Sequence, residues 1–227
     1  MEKIARAHVA RVEHNGALIL SDGRAMVLEG IRLPLADGAP SGLTDRTLAA
    51  LRELAQAEPV TFTISPPKED RYGRIRAQAF GQSWLQVALL ERGLARVAIS
   101  PDREECAPDL YEAEARARAQ AAGLWALPAY RVRAPAALKG GTGGFQLVEG
   151  VVSNIGQADG RTFIDFGDNG RRVFSAVIGA EDRRAFRDFD FDGLSAHRVR
   201  VRGIVQDYRG RPEIALSNPA QIEILDN

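Results

Sequence analysis

Tyr208, Arg209 and Arg211 crowd the segment DYRGRPEI, and RTF sets Arg161 two residues before Phe163. A guanidinium meets a phosphate with two parallel hydrogen bonds, and an aromatic face stacks on any nucleobase. Such a set can follow a single strand of nucleic acid. It also fits an ordinary turn with solvated arginines, the more frequent case for a Gly-containing polar segment. A second turn, DRYGR, carries Arg71, Tyr72 and Arg74. Arg74 can clamp a phosphate or close an ion pair inside the turn. Arg32, two residues before Pro34, can bind a phosphate, stand solvated or bridge to Glu29.

Other motifs point to less chemistry. DFDFDG at 188–193 has the opening of a calcium loop, but the bidentate glutamate required at position twelve is Val199. Phe189 and Phe191 fit better as core anchors. DFG at 165–167 has no kinase companions and reads as a strand and turn. GGTGG at 140–144 lacks the ending of a phosphate loop. His8, His14 and His197 are too scattered for metal-ligand spacing. Cys106 sits in a polar loop without an evident base, which gives nucleophilic catalysis little support.

Thirty basic and thirty acidic residues balance over 227 residues, so any anion-binding surface must be local. A hydrophobic share of 45% is enough to bury real cores. A single cysteine excludes an internal disulfide and a cysteine-based zinc cluster. No apolar run is long enough for a membrane span. The N-terminal residues show no signal-peptide pattern, so the chain reads as cytoplasmic as it stands, or as exported if a signal was trimmed.

The elements that must position these groups fall into two blocks. Residues 7–35 alternate as a β-meander with a hairpin turn at SDGR. A loop at 36–44 leads to a helix, TDRTLAALRELAQA, capped by Thr44 or Asp45. The strand PVTFTI, the turn at DRYGR and the strand IRAQAF follow. The helix SWLQVALLERG ends at Gly93, LARVAI returns as a strand, and DLYEAEARARAQAAG is a third helix. A stretch rich in Pro, Gly and Ala reads as linker over 131–144. Beyond it lie five strand candidates: FQLVEGVVSN, RTFIDFG, RRVFSAVIG, HRVRVRGIVQDY and AQIEIL. A short helix, EDRRAFRDF, is expected between the third and fourth. That is the order of a five-stranded Greek-key OB barrel. The expected fold class is mainly β with packed helices (α+β): two OB-type barrels, over 1–130 and 145–227, the first with three helices.

LEGIRLP, DRYGRIRAQAF, ALLERGLARVAI and EAEARARAQAAGLW, in that order over about residues 7–127, resemble a staphylococcal-nuclease-like domain of the thermonuclease family. The region after 145 resembles, by pattern alone, an OB-like C-terminal extension found in some bacterial members. The resemblance implies calcium-dependent hydrolysis of phosphodiesters in DNA and RNA. That chemistry needs carboxylates for a hard cation, a carboxylate to activate water, and two arginines for the phosphate charge.

Set against the family's pattern, most of those parts are missing. His14-Asn15-Gly16-Ala17 stands where the family reads Asp-Gly-Asp-Thr, so a liganding aspartate position falls on Gly16. The first catalytic arginine position is Val27. The turn that reads Asp, small residue, Pro, Glu in the family is Arg32, Leu33, Pro34, Leu35 here. A metal aspartate has become a cation, and the water-activating glutamate has become leucine. Arg74 matches the second catalytic arginine, and Arg71 and Tyr72 match positions near the family's bound phosphate. Ile99 and Pro101 stand where the family's pocket tyrosines would be.

The sequence therefore predicts a pseudoenzyme: a two-domain nucleic-acid-binding or protein-interaction module with no catalytic residues, no metal and no cofactor. Its expected binding residues are Arg32, Arg71, Tyr72, Arg74, Arg161, Phe163, Tyr208, Arg209 and Arg211, and its partners single-stranded DNA or RNA, or a protein, without a membrane. The alternative is an active calcium-dependent phosphodiesterase whose ligands have moved, to Asp22, Glu29 or the second barrel.

Overall fold

A computed structural model describes residues 2–64, 68–101, 104, 106–138, 143–168 and 171–225. The chain divides into two units, one of Met1–Ile99 with Arg103–Pro128, the other of Ser100–Asp102 with Ala129–Asn227. No helix among the described residues is long and apolar enough to cross a membrane.

The first unit opens with β1 (Glu2–Ala7), β2 (Val9–Val12), β3 (Leu18–Leu20), β4 (Ala25–Leu28) and the short β5 (Ile31–Arg32). Then come α1 (Ser41–Gln56), β6 (Val60–Ile64), β7 (Ile75–Phe80), α2 (Leu85–Glu91), β8 (Arg96–Val97) and α3 (Ala107–Ala119). The main sheet runs β1-β6-β7-β4-β3-β2, with β4 parallel to β7. Because β1 and β2 are separated only by His8, one bent strand supplies both outer edges and curls the sheet round. β5 pairs with β8. Period-two alternation supports the closure: Val60, Phe62 and Ile64 of β6 are buried, as are Leu18, Leu20 and Met26 of β3 and β4. Leu43, Leu48, Leu51 and Ala55 form the buried face of α1. Each fully buried leucine contributes about 1.5–3 kcal/mol relative to exposure.

Helix starts differ from the sequence expectation. α1 begins at Ser41, ahead of the expected caps Thr44 and Asp45, with Pro40 as its N-cap at φ −54°. The carbonyl of Pro40 accepts the N–H groups of Leu43 and Thr44, and the Thr47 hydroxyl turns back to the carbonyl of Leu43. α3 begins at Ala107, its N-cap Cys106 buried instead of lying in an open loop. Gly93 and Gly123 both adopt positive φ, and the Gly93 carbonyl accepts the Leu124 N–H at 2.8 Å. A Cβ on either glycine would strike the backbone of the other segment. This contact ties ERGLA to GLW.

The second unit contains β9 (Phe145–Ala158), β10 (Arg161–Asp168), β11 (Arg171–Ile178), β12 (Arg198–Tyr208), β13 (Arg211–Leu216) and β14 (Ile222–Leu225). The order is β13-β11-β10-β9-β12-β14, and β13 also pairs with β12. That pairing closes β9 to β13 into a five-stranded ring, parallel only where β11 meets β13. The fold class is thus mixed α+β with OB-type strand order. Ile164, Phe166, Phe174, Ala176 and Ile178 face the core; Arg161, Phe163 and Asp165 occupy the opposite face of β10.

Three expectations here need correction. The fifth barrel strand is β13, not AQIEIL, which forms the additional β14. The Pro in RPEIAL disguised a strand, because proline is usually confined to strand ends and edges. EDRRAFRDF is not a helix but a single 3-10 turn at Arg183–Phe186. There Phe186, Phe189 and Phe191 cluster with ring centroids 5.1–6.3 Å apart. Part of the expected linker is built into this unit: Arg133 exchanges backbone hydrogen bonds with Leu147 and Glu149, and Leu138 is buried in the core. Residues 139–142, including the start of GGTGG, lie outside the described residues.

Candidate phosphate and nucleic-acid sites

Of the positions read from the resemblance, Gly16, Val27, Arg32, Leu33, Leu35 and Arg74 converge in space, whereas Arg71 and Tyr72 do not line the same cleft. Asn15, Gly16, Val27, Leu28, Ile31, Arg32, Leu33, Leu35, Ala36 and Arg74 line one cleft of about 340 Å³ in the first barrel. Among the described residues no carboxylate lines it. Gly16 sits at φ +84° in a turn that Asn15 braces by accepting the Ala17 N–H at 3.0 Å. A Cβ at Gly16 would run into Cδ1 of Leu33, with Cδ1 of Leu35 3.3 Å away. Two leucines therefore occupy the space that a side chain at position 16 would need.

Arg32 does not bridge to Glu29. Its Nε donates to Asp37 at 2.8 Å, and Arg96, only 2% exposed, holds the other oxygen of Asp37 at 2.6 Å. One carboxylate thus anchors two guanidiniums, and β5 pairing with β8 sets Arg32 directly opposite Arg96. Glu29 is buried and paired instead with Arg76 at 2.6 Å. Asp22 pairs with Arg24 across its own hairpin turn. Neither Asp22 nor Glu29 lines the cleft.

Arg74 lies at the cleft with its charge engaged. Asp70 accepts from the Arg74 Nε at 2.8 Å and from its Nη2 at 2.7 Å. The other oxygen of Asp70 accepts the N–H groups of Tyr72 and Arg74 at 2.9 and 3.0 Å. Burial pushes the Asp70 carboxyl up, but these hydrogen bonds and the Arg74 charge outweigh it and hold the group below its ordinary value. Tyr72, 66% exposed, has the guanidiniums of Arg71 and Arg74 over its ring at 5.0 and 5.2 Å.

In the second barrel a larger cleft of about 620 Å³ gathers Arg161, Phe163, Tyr208, Arg209 and Arg211 with Asn154, Asp165 and Glu213. The Arg161 guanidinium stands 5.0 Å from the Phe163 centroid and 5.1 Å from that of Tyr208, and pairs with Glu213 at 3.1 Å. Asp165 accepts from the Ser175 hydroxyl at 2.7 Å. The sequence reading named the five cationic and aromatic residues of this cleft. It missed Asp165 and Glu213, although their period-two spacing from Phe163 and Arg211 places them on the same face.

Comparison with known families speaks to the first unit. Residues 45–127 match the family described as staphylococcal nuclease homologue. No curated protein matches the chain. The matched region contains DRYGR, LLERGLARVA and the Gly93–Gly123 contact. It begins after the cleft-lining positions 15–36 and includes the cleft-lining Arg74.

A calcium ion, which the resemblance to the nucleases implies, does not fit this cleft. Ca²⁺ takes six to eight oxygen ligands, carboxylates foremost. The cleft offers leucines, a valine, an amide and two guanidiniums. Among the described residues no three His, Cys, Asp or Glu side chains gather as a metal-binding group.

Proposed function

We propose that this chain is a non-catalytic relative of the staphylococcal nucleases that acts as a nucleic-acid-binding module. The observation carrying the proposal is the packing of Leu33 over Gly16 in a cleft that holds Arg74 and, among the described residues, no carboxylate. Metal-assisted phosphodiester hydrolysis needs a metal, an activated water and charge stabilisation as a unit, and loss of several members is far from additive in rate. What remains is arginine beside an exposed tyrosine ring, with Arg74 tied to Asp70 in the first barrel and Arg209 and Arg211 outside any ion pair among the described residues in the second, which is the chemistry of binding and not of hydrolysis. The relocated-ligand alternative has less support, since Asp22 and Glu29 are each committed to an arginine away from the cleft.

The test is retention of a fluorescent single-stranded oligonucleotide in the presence of EDTA. The expected result is binding without metal, with affinity falling steeply as salt rises. No retention at low salt contradicts the proposal and favours a protein partner.

A further inference from the structure

Both barrels carry the same kind of turn at the same point of their strand order. DRYGR leads into β7 and DYRGR joins β12 to β13, in each case the link from the fourth barrel strand to the fifth. Each turn starts with an aspartate, contains an arginine and a tyrosine, and ends in Gly-Arg. Gly73 and Gly210 take φ +72° and +81°.

The two aspartates do different work. Asp70 places its carboxylate on Arg74 with two side-chain contacts. Asp207 spends its side chain on the N–H of Gly210 at 2.9 Å. Neither Arg209 nor Arg211 has an ion pair among the described residues, and both are exposed. Arg209 also adopts φ +54°, a conformation that glycine or asparagine would occupy with less strain. Among the described non-glycine residues Ala121, Asp159 and Ala196 also take positive φ, and Arg209 is the one that brings a cation to the cleft.

The cleft beside this second turn has the shape and chemistry for a base. Gly156 lies directly opposite Phe163 on β9, and a Cβ there would meet only the Asn154 amide, at 3.5 Å, so the floor beside the ring stays open. Tyr208 is 45% exposed. Three carboxylates line the cleft: Glu213 holds Arg161, Asp165 accepts from Ser175 and from Asn154, and Asp159 is exposed in the turn between β9 and β10. The cleft of about 620 Å³ also lies within the usual range for small-ligand sites.

We infer that the second barrel holds the working single-strand site, with bases stacked on Phe163 and Tyr208 and phosphates on Arg209 and Arg211, while Asp70 silences Arg74 in the equivalent turn of the first. This rests on the nucleic-acid reading above. Stacking on exposed rings requires unpaired bases, so the ligand is single-stranded in preference to duplex.

The experiment is fluorescence anisotropy of the full chain with a labelled single-stranded DNA across a salt series. Arg209→Ala with Arg211→Ala should weaken binding at least tenfold and flatten the log–log salt slope by about 0.7 for each lost phosphate contact. Tyr208→Ala should weaken binding, and Tyr208→Phe should restore it. Arg74→Ala should leave binding within about twofold of wild type. Asp70→Asn, which keeps the turn's acceptor and removes its charge, should tighten it. Circular dichroism melts of each variant separate loss of site from loss of fold. If wild type binds and the loss maps to Arg74 and not to Arg209 and Arg211, the division of labour is wrong and the functional proposal stands. If wild type binds no single strand, both fall.

Discussion

Leu33 lies over Gly16, so that the Leu33 methyl fills the place a side chain at position 16 would take. On the proposed reading that place would belong to a metal-binding aspartate in the nucleases. On that reading the space is not merely emptied; it is filled by apolar packing.

Gly16 should resist reversion. At φ +84° any L side chain is strained, and Leu33 blocks the space besides. Gly16→Asp should lower stability by about 1–3 kcal/mol. Leu33→Ala in the same background should recover part of that. Urea unfolding measures both, and a neutral Gly16→Asp would show that the cleft is looser than described.

Asp37 should matter more than either arginine it holds. Removing it leaves the guanidinium of Arg96, 2% exposed, without that ion pair, and loss of one partner from a buried pair costs about 3–5 kcal/mol. Arg32, at the cleft edge with 29% of its side chain exposed, should cost about 1 kcal/mol or less on truncation to alanine. Equal losses from Asp37→Ala and Arg32→Ala would contradict the shared-carboxylate arrangement.

The sequence made the strand periods plain. Ile164 and Phe166 alternate with Arg161, Phe163 and Asp165, and that alternation alone separates core from cleft. It also brought Gly16, Val27, Arg32, Leu35 and Arg74 to one place, because the family pattern fixes their spacing. The partner of Arg32 was not legible. Asp37 is near in sequence, but the choice over Glu29 is made by Arg96, 59 positions from Asp37, which arrives only when β8 pairs with β5. Glu29 meanwhile is taken by Arg76 on a strand 47 residues away. Composition likewise marks 131–138 as linker, whereas the backbone of Arg133 adds to the edge of β9, a tertiary event that Pro and Ala content does not record.

Asp70 should make part of the stability acid-sensitive. Its folded pKa is depressed, so its contribution is complete above the unfolded carboxylate value, about 3.9, and is lost as pH falls through the folded value. The urea midpoint of wild type should therefore fall more steeply below about pH 4 than that of Asp70→Asn. Parallel acid profiles would mean that the pair with Arg74 contributes nothing.

Arg209 should show a trade between stability and binding. Arg209→Gly relieves a left-handed arginine in the two-residue turn and should raise stability by up to about 1 kcal/mol. The same change should weaken single-strand binding. A variant that is both less stable and equally tight in binding would remove the functional reason for the strained residue.

The central claim is that the first barrel's cleft no longer supports metal-dependent hydrolysis. Its most direct test incubates the full chain with single-stranded DNA in calcium and in EDTA, beside Arg74→Ala, and follows fragment length over time. Intact DNA in every lane is the predicted result. Cleavage that requires calcium and disappears with Arg74→Ala would contradict it.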